Sequence, residues 1–201
     1  MRILSIDFDY FIDTDMYNRC MTFPDGNDNL EDSINDLIWS GIYNSNPQVK
    51  DIGVIKDYYK VCDYLRTLTK GKVLVSQNSH KDIEAFFNEI DTKEDLEVIN
   101  IDFHHDMYIT GGNTLDCANW LRILIDLKPN AKITWLRRED SDIESLSGTF
   151  PYNHTSNINN IVGFNEEFDL IFLCFSNPWT PPHLRPKYNK LCECCSHLDR
   201  F

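Results

Sequence analysis

The sequence contains no long hydrophobic run. Its N-terminal segment has an apolar core of only four residues, Ile3 to Ile6, before the first acid. The hydrophobic region of a secretion signal needs about 7 to 15 residues, and a membrane-spanning helix needs roughly 18. We therefore expect a soluble, cytoplasmic protein that has no membrane partner. In that compartment its seven cysteines should remain reduced thiols.

Positive charge is also scarce. The chain has 19 Lys and Arg residues against 32 Asp and Glu residues, which gives a formal net charge of −13. Such an excess of acid repels phosphate backbones and anionic membranes, so we expect no nucleic-acid partner. The same surface would attract a cationic ligand such as an arginine-rich peptide. Acidic residues that only keep a protein soluble would give the same balance.

Linker composition and internal repeats are absent as well, which favours one domain over residues 1–201. Hydrophobic residues make up 42% of the chain and aromatic residues 12%, which is typical of a globular protein. The segment CECCSH near the C-terminus lacks the paired cysteine spacing of common zinc sites. We therefore expect residues 190–201 to form a flexible tail that carries thiols.

Five short apolar runs, rich in β-branched residues, alternate with segments of helical periodicity. The runs cover Ile3–Ile6, Val73–Val75, Leu96–Phe103, Ile133–Leu136 and Leu170–Phe175. Runs with so little polar alternation are typical of strands buried on both faces of a parallel sheet. The pattern predicts an α/β fold with three layers, α/β/α, around a mostly parallel sheet. Residues 137–167 are polar, and we expect a surface excursion there with one short helix or strand.

Acids and histidines follow three of these predicted strands. The residues are Asp7 and Asp9, then His80, then Asp102, His104 and Asp106. Ligands of open α/β sheets bind beyond the carboxyl ends of the strands, so this is where a site is expected. Alternate residues of a strand point the same way, which would bring each set together. Carboxylates buried side by side need a cation or a raised pKa, and a metal ion would supply the cation.

The donor set favours an oxygen-rich metal centre. Four carboxylates and two imidazoles are too many for one tetrahedral zinc site, and they suffice for two ions. Mixed sites of this kind favour Mn(II), with Fe(II), Co(II) and Zn(II) as competitors. Simpler explanations exist for each part. An Asp-x-Asp after a strand is often a loop cap or a single Mg site, and a lone histidine such as His80 is often a surface residue.

At these residues the chain resembles the ureohydrolase superfamily, the arginase and deacetylase-like fold. It is most similar to the peptide arginases of ribosomal-peptide biosynthesis. A histidine follows one strand of arginases, an Asp-x-His-x-Asp ends the next and an Asp-x-Asp ends a later one. The segments SHKDIEAFF and LDCANWL are also similar to those that flank the metal motifs. The Asp-x-Asp strand comes first in this chain and late in arginases, so the motif order is permuted.

The resemblance implies two Mn²⁺ ions per chain and a ligand set for each. One ion would be held by His80, Asp102, Asp106 and Asp7, and the other by Asp102, His104, Asp7 and Asp9. It also implies catalytic roles for Asp106 and His104, with Asp106 orienting the attacking water. His105 falls on the opposite strand face, so we expect it to be buried rather than to bind metal.

The activity that the resemblance implies is hydrolysis of arginine side chains in a peptide to ornithine, with release of urea. Three residues are expected to bind the substrate. Asn113 stands in the segment where arginases carry a proton-shuttle histidine, while Trp179 and His183 lie in the Pro-rich loop FSNPWTPPHL after the last apolar run. That loop should reach the same sheet edge if its strand is parallel. For Trp179, packing in the core is the alternative.

Three other functions remain open from the sequence. One is an amidohydrolase or deacetylase of the same fold. Another is a phosphatase of the haloacid-dehalogenase type, with Asp7 as nucleophile, Asp9 as acid and base, and one Mg²⁺. That family has Thr or Val two residues after the second Asp, where this chain has Phe11. The third is a metal-stabilised protein that binds a peptide without chemistry.

Overall fold

The computed structural model describes residues 1–24, 31–90, 95–109, 114–146, 152–163 and 167–201. Their centre is a seven-stranded sheet in which every strand pairing is parallel, in the order β5-β4-β3-β1-β6-β2-β7. The strands are β1 (Arg2–Asp7), β2 (Lys70–Ser76), β3 (Glu97–Ile101), β4 (Lys132–Leu136), β5 (Tyr152–Thr155), β6 (Glu167–Cys174) and β7 (Asp199–Arg200). The predicted α/β fold with a parallel sheet is confirmed.

Helices cover the sheet on both faces. The α-helices are α1 (Met16–Thr22), α2 (Asp32–Ser45), α3 (Asp57–Thr67), α4 (Trp120–Leu127) and α5 (Arg185–Glu193). Short 3₁₀ helices span Phe8–Phe11, Pro47–Asp51, His80–Glu89, Ile158–Asn160 and Pro182–Leu184. No helix in the described ranges combines the length and the apolar character that crossing a bilayer requires.

Alternation of side chains along the central strand explains the three layers. On β1, Leu4 and Ile6 pack into the core cluster that also holds residues of α3 and α5. Ile3 points the other way, into the cluster that holds residues of α4 and of the 3₁₀ helix His80–Glu89. All three side chains are almost completely buried. A strand apolar on both faces therefore has to lie inside the sheet, as its continuous apolar run predicts.

Strands β1 and β3 each end at a turn in which an aspartate side chain accepts a backbone N–H. The Asp7 carboxylate at the end of β1 accepts the N–H of Asp9, at 3.0 Å. Asp102, which directly follows β3, accepts the N–H of His104 in the same way, at 2.8 Å. Aspartate commonly forms such turns with the backbone two residues on. These turns end β3 at Ile101 rather than at Phe103, and they hold the next acid or histidine at the strand end.

The C-terminal segment packs against the domain, which corrects the expectation of a flexible tail at 190–201. Helix α5 continues to Glu193, Cys194 and Cys195 are buried in the same core cluster as β1, and β7 pairs with β2. The tail is held because its cysteines behave as small apolar residues that fill this core. Within the described ranges, none of the groups suited to a metal ion contains a cysteine.

The polar segment at 137–167 contains more regular structure than one element. Strand β5 pairs with β4 at the edge of the sheet, and the 3₁₀ helix Ile158–Asn160 follows it. Residues 147–151 and 164–166 of this segment lie outside the described ranges. The short strand is polar and partly exposed, so its residues give little apolar signal in the sequence.

Candidate metal centre

The carboxyl ends of the parallel strands bring the acids and histidines to one edge of the sheet. β1, which ends at Asp7, lies directly beside β3, which is followed by Asp102. His80 follows β2, which is separated from β1 only by β6. The strand-end rule for open α/β sheets therefore locates the cluster, and the permuted order of the motifs does not prevent it from forming.

His80 lies at the centre of the first donor group. Its Nδ1 atom is 3.2 Å from a carboxylate oxygen of each of three residues, Asp7, Asp102 and Asp106. All four side chains are at least 94% buried. None of these contacts has hydrogen-bond geometry, and Nδ1 has no hydrogen-bond partner among the described residues. An unpartnered buried nitrogen surrounded by three carboxylate oxygens indicates a binding position for a cation.

A second donor group shares one residue with the first. His104 Nδ1 lies 2.9 Å from Asp9 Oδ2 and 3.9 Å from Asp102 Oδ1. Asp102 therefore turns one oxygen toward His80 and the other toward His104. The Oδ2 atom of Asp9 is buried and, within the described part of the chain, also lacks a hydrogen-bond partner. One carboxylate shared between two donor groups is the arrangement expected of a bridging ligand in a two-metal site.

The distances fit a divalent ion. Donor atoms bound about 2.1 Å from one ion lie about 3.0 to 3.5 Å from each other, depending on the coordination geometry. The three 3.2 Å separations around His80 Nδ1 fall within that range. Three carboxylate oxygens and one imidazole nitrogen form an oxygen-rich set, which suits Mn(II) better than a thiolate-preferring metal. The buried groups Asp7, His80 and Asp102, and Asp9, Asp102 and His104, could therefore each hold a metal ion.

Asp7 differs in one respect from the expected ligand sets, in which it contributed to both ions. Its Oδ1 atom accepts the N–H of Asp9, and its Oδ2 atom faces His80. The structure places it in the first donor group and not in the second.

Hydrogen bonds from neighbouring side chains orient the carboxylates. Trp120 Nε1 donates to Asp106 Oδ2 at 2.5 Å, and the Ser176 hydroxyl donates to Asp7. Asp106 and Ser176 both have a φ of 51°, a left-handed conformation that is uncommon for residues other than glycine. Backbone strain of this kind clusters at functional sites, where the surrounding structure holds it in place. Here it turns both side chains toward the metal centre.

Ser5 fixes the orientation of the His80 ring. Its hydroxyl lies 2.7 Å from His80 Nε2, and both side chains are buried. A hydrogen bond to one ring nitrogen sets the tautomer of a metal-binding histidine and directs the other nitrogen to the metal. With Nε2–H donating to Ser5, the lone pair of Nδ1 faces the three carboxylates. A metal ion would bind this lone pair; without one, a proton on Nδ1 supplies the positive charge, since the three acids outweigh burial and raise the pKa of His80.

We therefore expect Ser5→Ala to weaken the affinity for Mn²⁺ by about 10- to 100-fold, the usual effect of losing an orienting partner of a metal ligand. Isothermal titration of the metal-free protein measures this affinity. Ser45→Ala, at an exposed position of α2, is the matched control and should bind as the wild type does. Equal affinities of the two variants would show that the Ser5 hydroxyl does not orient His80.

The acids of the cluster have strongly perturbed pKa values. Burial, together with Asp9 and Asp102, raises the pKa of Asp7 to about 7. Burial and the neighbouring Asp102 also raise the pKa of Asp106 well above its ordinary value. Burial opposes the charge of His80, but Asp106, Asp102 and Asp7 outweigh it and raise its pKa. Without a metal ion, the cluster therefore keeps protons that a cation would displace.

A buried arginine balances part of this charge. Arg19 Nη1 lies 3.8 Å from Asp9 Oδ2, and its Nη2 donates to the main-chain oxygens of Asp9 and Ile12. Burial lowers the pKa of Arg19 to about 10, so the side chain stays charged at neutral pH. Its guanidinium also lies 3.8 Å from the centre of the Phe103 ring. Arg19 therefore offsets Asp9 and leaves the three acids around His80 without an equivalent partner.

A cavity of about 430 Å³ opens onto the metal centre. Its floor includes Asp7, His80, His104 and Asp106, the predicted ligands that line it. Its described walls are mostly apolar and come from α1, from Tyr108 and Ile109, from Cys117 and Ala118, and from the loop after β6. Pockets of about 300 to 1,000 Å³ with a few convergent polar groups are typical small-molecule sites. The cavity gives a substrate direct access to the first donor group.

The remaining predicted residues have different outcomes. Trp179 is partly exposed, lines the cavity and lies 4.8 Å from the His104 ring, between ring centres. His183 does not line it, because the 3₁₀ turn Pro182–Leu184 directs its ring to Tyr43 and to the main-chain oxygen of Ile52. Its assignment to substrate binding stays a prediction that these contacts do not support. Asn113 lies outside the described residues. His105 is buried, as expected, and bonds to a serine rather than to the centre.

Sequence reasoning missed three residues that support the ligands, Ser5, Ser176 and Arg19, while Trp120 stands in the segment LDCANWL that the resemblance singled out. Ser176 follows β6 at the same sheet edge, so the strand-end rule could have found it. Ser5 shares a strand face with Asp7, two residues away, which is also a usable signal. A single buried arginine in a helix gives no such signal. Comparison of the chain with protein-family models, curated proteins and solved structures gives no match.

Proposed function

We propose that the protein is a hydrolase with two divalent metal ions, Mn²⁺ by preference, which converts arginine side chains of a peptide to ornithine and releases urea. One observation carries the proposal. Three carboxylate oxygens lie 3.2 Å from His80 Nδ1, which has no hydrogen-bond partner among the described residues. The shared position of Asp102 supports a second ion. The guanidino substrate is supported by the similarity of the motifs to those of arginases.

The residues that would hold the metals follow from the two donor groups. The first ion would be held by His80, Asp7, Asp102 and Asp106, and the second by Asp9, Asp102 and His104. When bound, a pair of divalent ions supplies hydroxide near neutral pH and stabilises negative charge in the transition state. The first group is the more acidic, since Arg19 already offsets Asp9 in the second.

The side chains around the cavity can bind a guanidinium and transfer a proton from the attacking water. Trp179 presents an aromatic ring beside His104, and aromatic faces attract guanidinium groups. Water adds to the guanidinium carbon, the bond from that carbon to the side-chain nitrogen breaks, and the nitrogen takes up a proton. Asp106, held by Trp120, lines the cavity and is the carboxylate placed to orient the water and to pass on its proton.

The phosphatase alternative fits the geometry less well. It requires Asp9 to reach the substrate as acid and base, because a general acid must lie within hydrogen-bond distance of the reacting group. Asp9 is completely buried, faces Arg19 and His104, and is not among the described residues that line the cavity. Asp102, His104 and Asp106 would also have no role in that mechanism.

An assay for urea tests the proposal. Wild-type protein loaded with Mn²⁺ should release urea from a blocked arginine-containing peptide, and His80→Asn should reduce the rate at least 100-fold because it removes the central donor. His154→Asn, at an exposed position, is the matched control. Acetate from an acetyl-lysine peptide would identify a deacetylase instead, and phosphate from a phosphoester would identify a phosphatase. Binding of the peptide without formation of any product would support the alternative of a protein that binds a peptide without chemistry.

A further inference from the structure

The wall of the cavity is mostly apolar, whereas its floor is formed by acids and histidines. Above the acids and histidines, the described lining is formed by Met16, Tyr108, Ile109, Cys117, Ala118 and Trp179. Ile109 is 74% exposed, so it lies at the opening with most of its side chain in water. Tyr17, next to Met16 in the chain, is 70% exposed. Large apolar side chains left exposed beside a site are typical of a surface that contacts a ligand.

Beyond the proposed metal ligands, the described lining offers no cationic side chain that could pair with the carboxylate of free arginine. It contains no Lys or Arg residue. The first turn of α1, beside Met16, already has acidic partners. Met16 N donates to Asp140 at 3.2 Å, and Asn18 N donates to Asp15 at 2.8 Å. A substrate carboxylate at this end of the cavity would face two acids and an apolar wall, both of which disfavour a negative charge.

From this contrast we infer that the enzyme acts on arginine whose neighbours in the peptide are apolar, and that it discriminates against free arginine. The inference rests on the proposed function and adds the substrate class to it. Inside a peptide, the charged amino-acid ends are replaced by neutral amides. Apolar neighbours would contact Ile109 and Met16, and this contact would bury apolar surface of both the substrate and the protein. The acids around the mouth would still attract the cationic side chain.

A series of substrates tests the inference. The substrates are three acetylated and amidated tripeptides, Leu-Arg-Leu, Ser-Arg-Ser and Glu-Arg-Glu, and free arginine, each with the Mn²⁺-loaded protein. We expect kcat/KM for urea release to be at least tenfold higher for Leu-Arg-Leu than for Ser-Arg-Ser. Glu-Arg-Glu and free arginine should be at least 100-fold poorer than Leu-Arg-Leu.

Equal rates for Leu-Arg-Leu and either Ser-Arg-Ser or free arginine would overturn the inference while leaving the arginase function intact. No urea from any of the four would remove the function itself, and the inference with it.

A variant at the cavity opening gives a second test. Ile109→Lys should lower kcat/KM for Leu-Arg-Leu about tenfold, because it replaces an apolar contact with a charge. It should raise kcat/KM for free arginine, because the new cation can pair with the substrate carboxylate. Leu127→Lys, on α4, is the control, since Leu127 is 60% exposed and is not among the described residues of the cavity. An unchanged preference in Ile109→Lys would contradict the assignment of this wall to the substrate's neighbours.

Discussion

Replacing Asp102 with Asn is expected to lower kcat/KM for urea release by about 10³-fold or more, which corresponds to about 4 kcal/mol of transition-state stabilisation. The reason is its shared position. One carboxylate oxygen lies 3.2 Å from His80 Nδ1 and the other lies 3.9 Å from His104 Nδ1. Asn keeps the shape of the side chain but has one oxygen and no charge. One donor group therefore loses its oxygen ligand, and the other keeps only a neutral amide oxygen.

Metal content must fall together with activity in this variant. The amide oxygen of Asn can still accept the N–H of His104, so the turn after β3 should persist and the fold should remain. Asp126→Asn, at an exposed position on α4, is the matched control and should keep both metal and activity. Elemental analysis after gel filtration, beside the urea assay, measures both quantities. Two ions retained in an inactive Asp102→Asn protein would contradict the assignment of Asp102 as the shared ligand.

The metal-free protein should lose stability as the pH rises from 5 to 8. Burial, with Asp9 and Asp102, raises the pKa of Asp7 from its ordinary value of 3.8 to about 7, so the folded state binds more protons than the unfolded state between those values. The unfolding free energy therefore falls with rising pH in that window. His80 acts in the same direction above pH 6.5, because its folded pKa is also raised. His105, whose pKa burial lowers to about 4, offsets part of this loss below pH 6.5, so the expected net loss is about 2 kcal/mol.

Mn²⁺ should reverse this trend, because metal ligands bind in their deprotonated form and protons no longer compete at high pH. Urea unfolding curves at pH 5, 6, 7 and 8, with a chelator or with Mn²⁺, measure the effect. Asp7→Asn in the chelated protein is the control, and its stability should change less with pH. A metal-free protein as stable at pH 8 as at pH 5 would show that the cluster does not retain protons in the folded state.

Apolar patterning predicted the strands that the core requires and missed those at the edges. The runs at Ile3–Ile6 and Leu170–Phe175 identify β1 and β6, because both faces of these strands are buried. Strands β5 and β7 are short and polar, and they form by pairing with strands already in place. Their existence depends on tertiary context that residue periodicity does not contain.

The clustering of the acids and histidines could be predicted for a different reason. Acids and histidines that follow buried strands have few other roles, and the parallel sheet brings strand ends together whatever their order in the chain. Orientation within the site could not be predicted in the same way. Local backbone geometry sets two such features. One is the turn in which Asp7 accepts the N–H of Asp9, and the other is the 3₁₀ turn that directs His183 to Tyr43. Arg19 is held by tertiary contacts with Asp9, Ile12 and Phe103, which its place in α1 does not reveal.

Anomalous diffraction from crystals grown with Mn²⁺ tests the metal centre most directly. Data collected on both sides of the manganese absorption edge should show two peaks per chain. One should lie beside His80 Nδ1 and the other beside His104 Nδ1, with Asp102 between them. A map with no manganese peak at this edge of the sheet, or with the metal bound only elsewhere on the protein, would contradict the account.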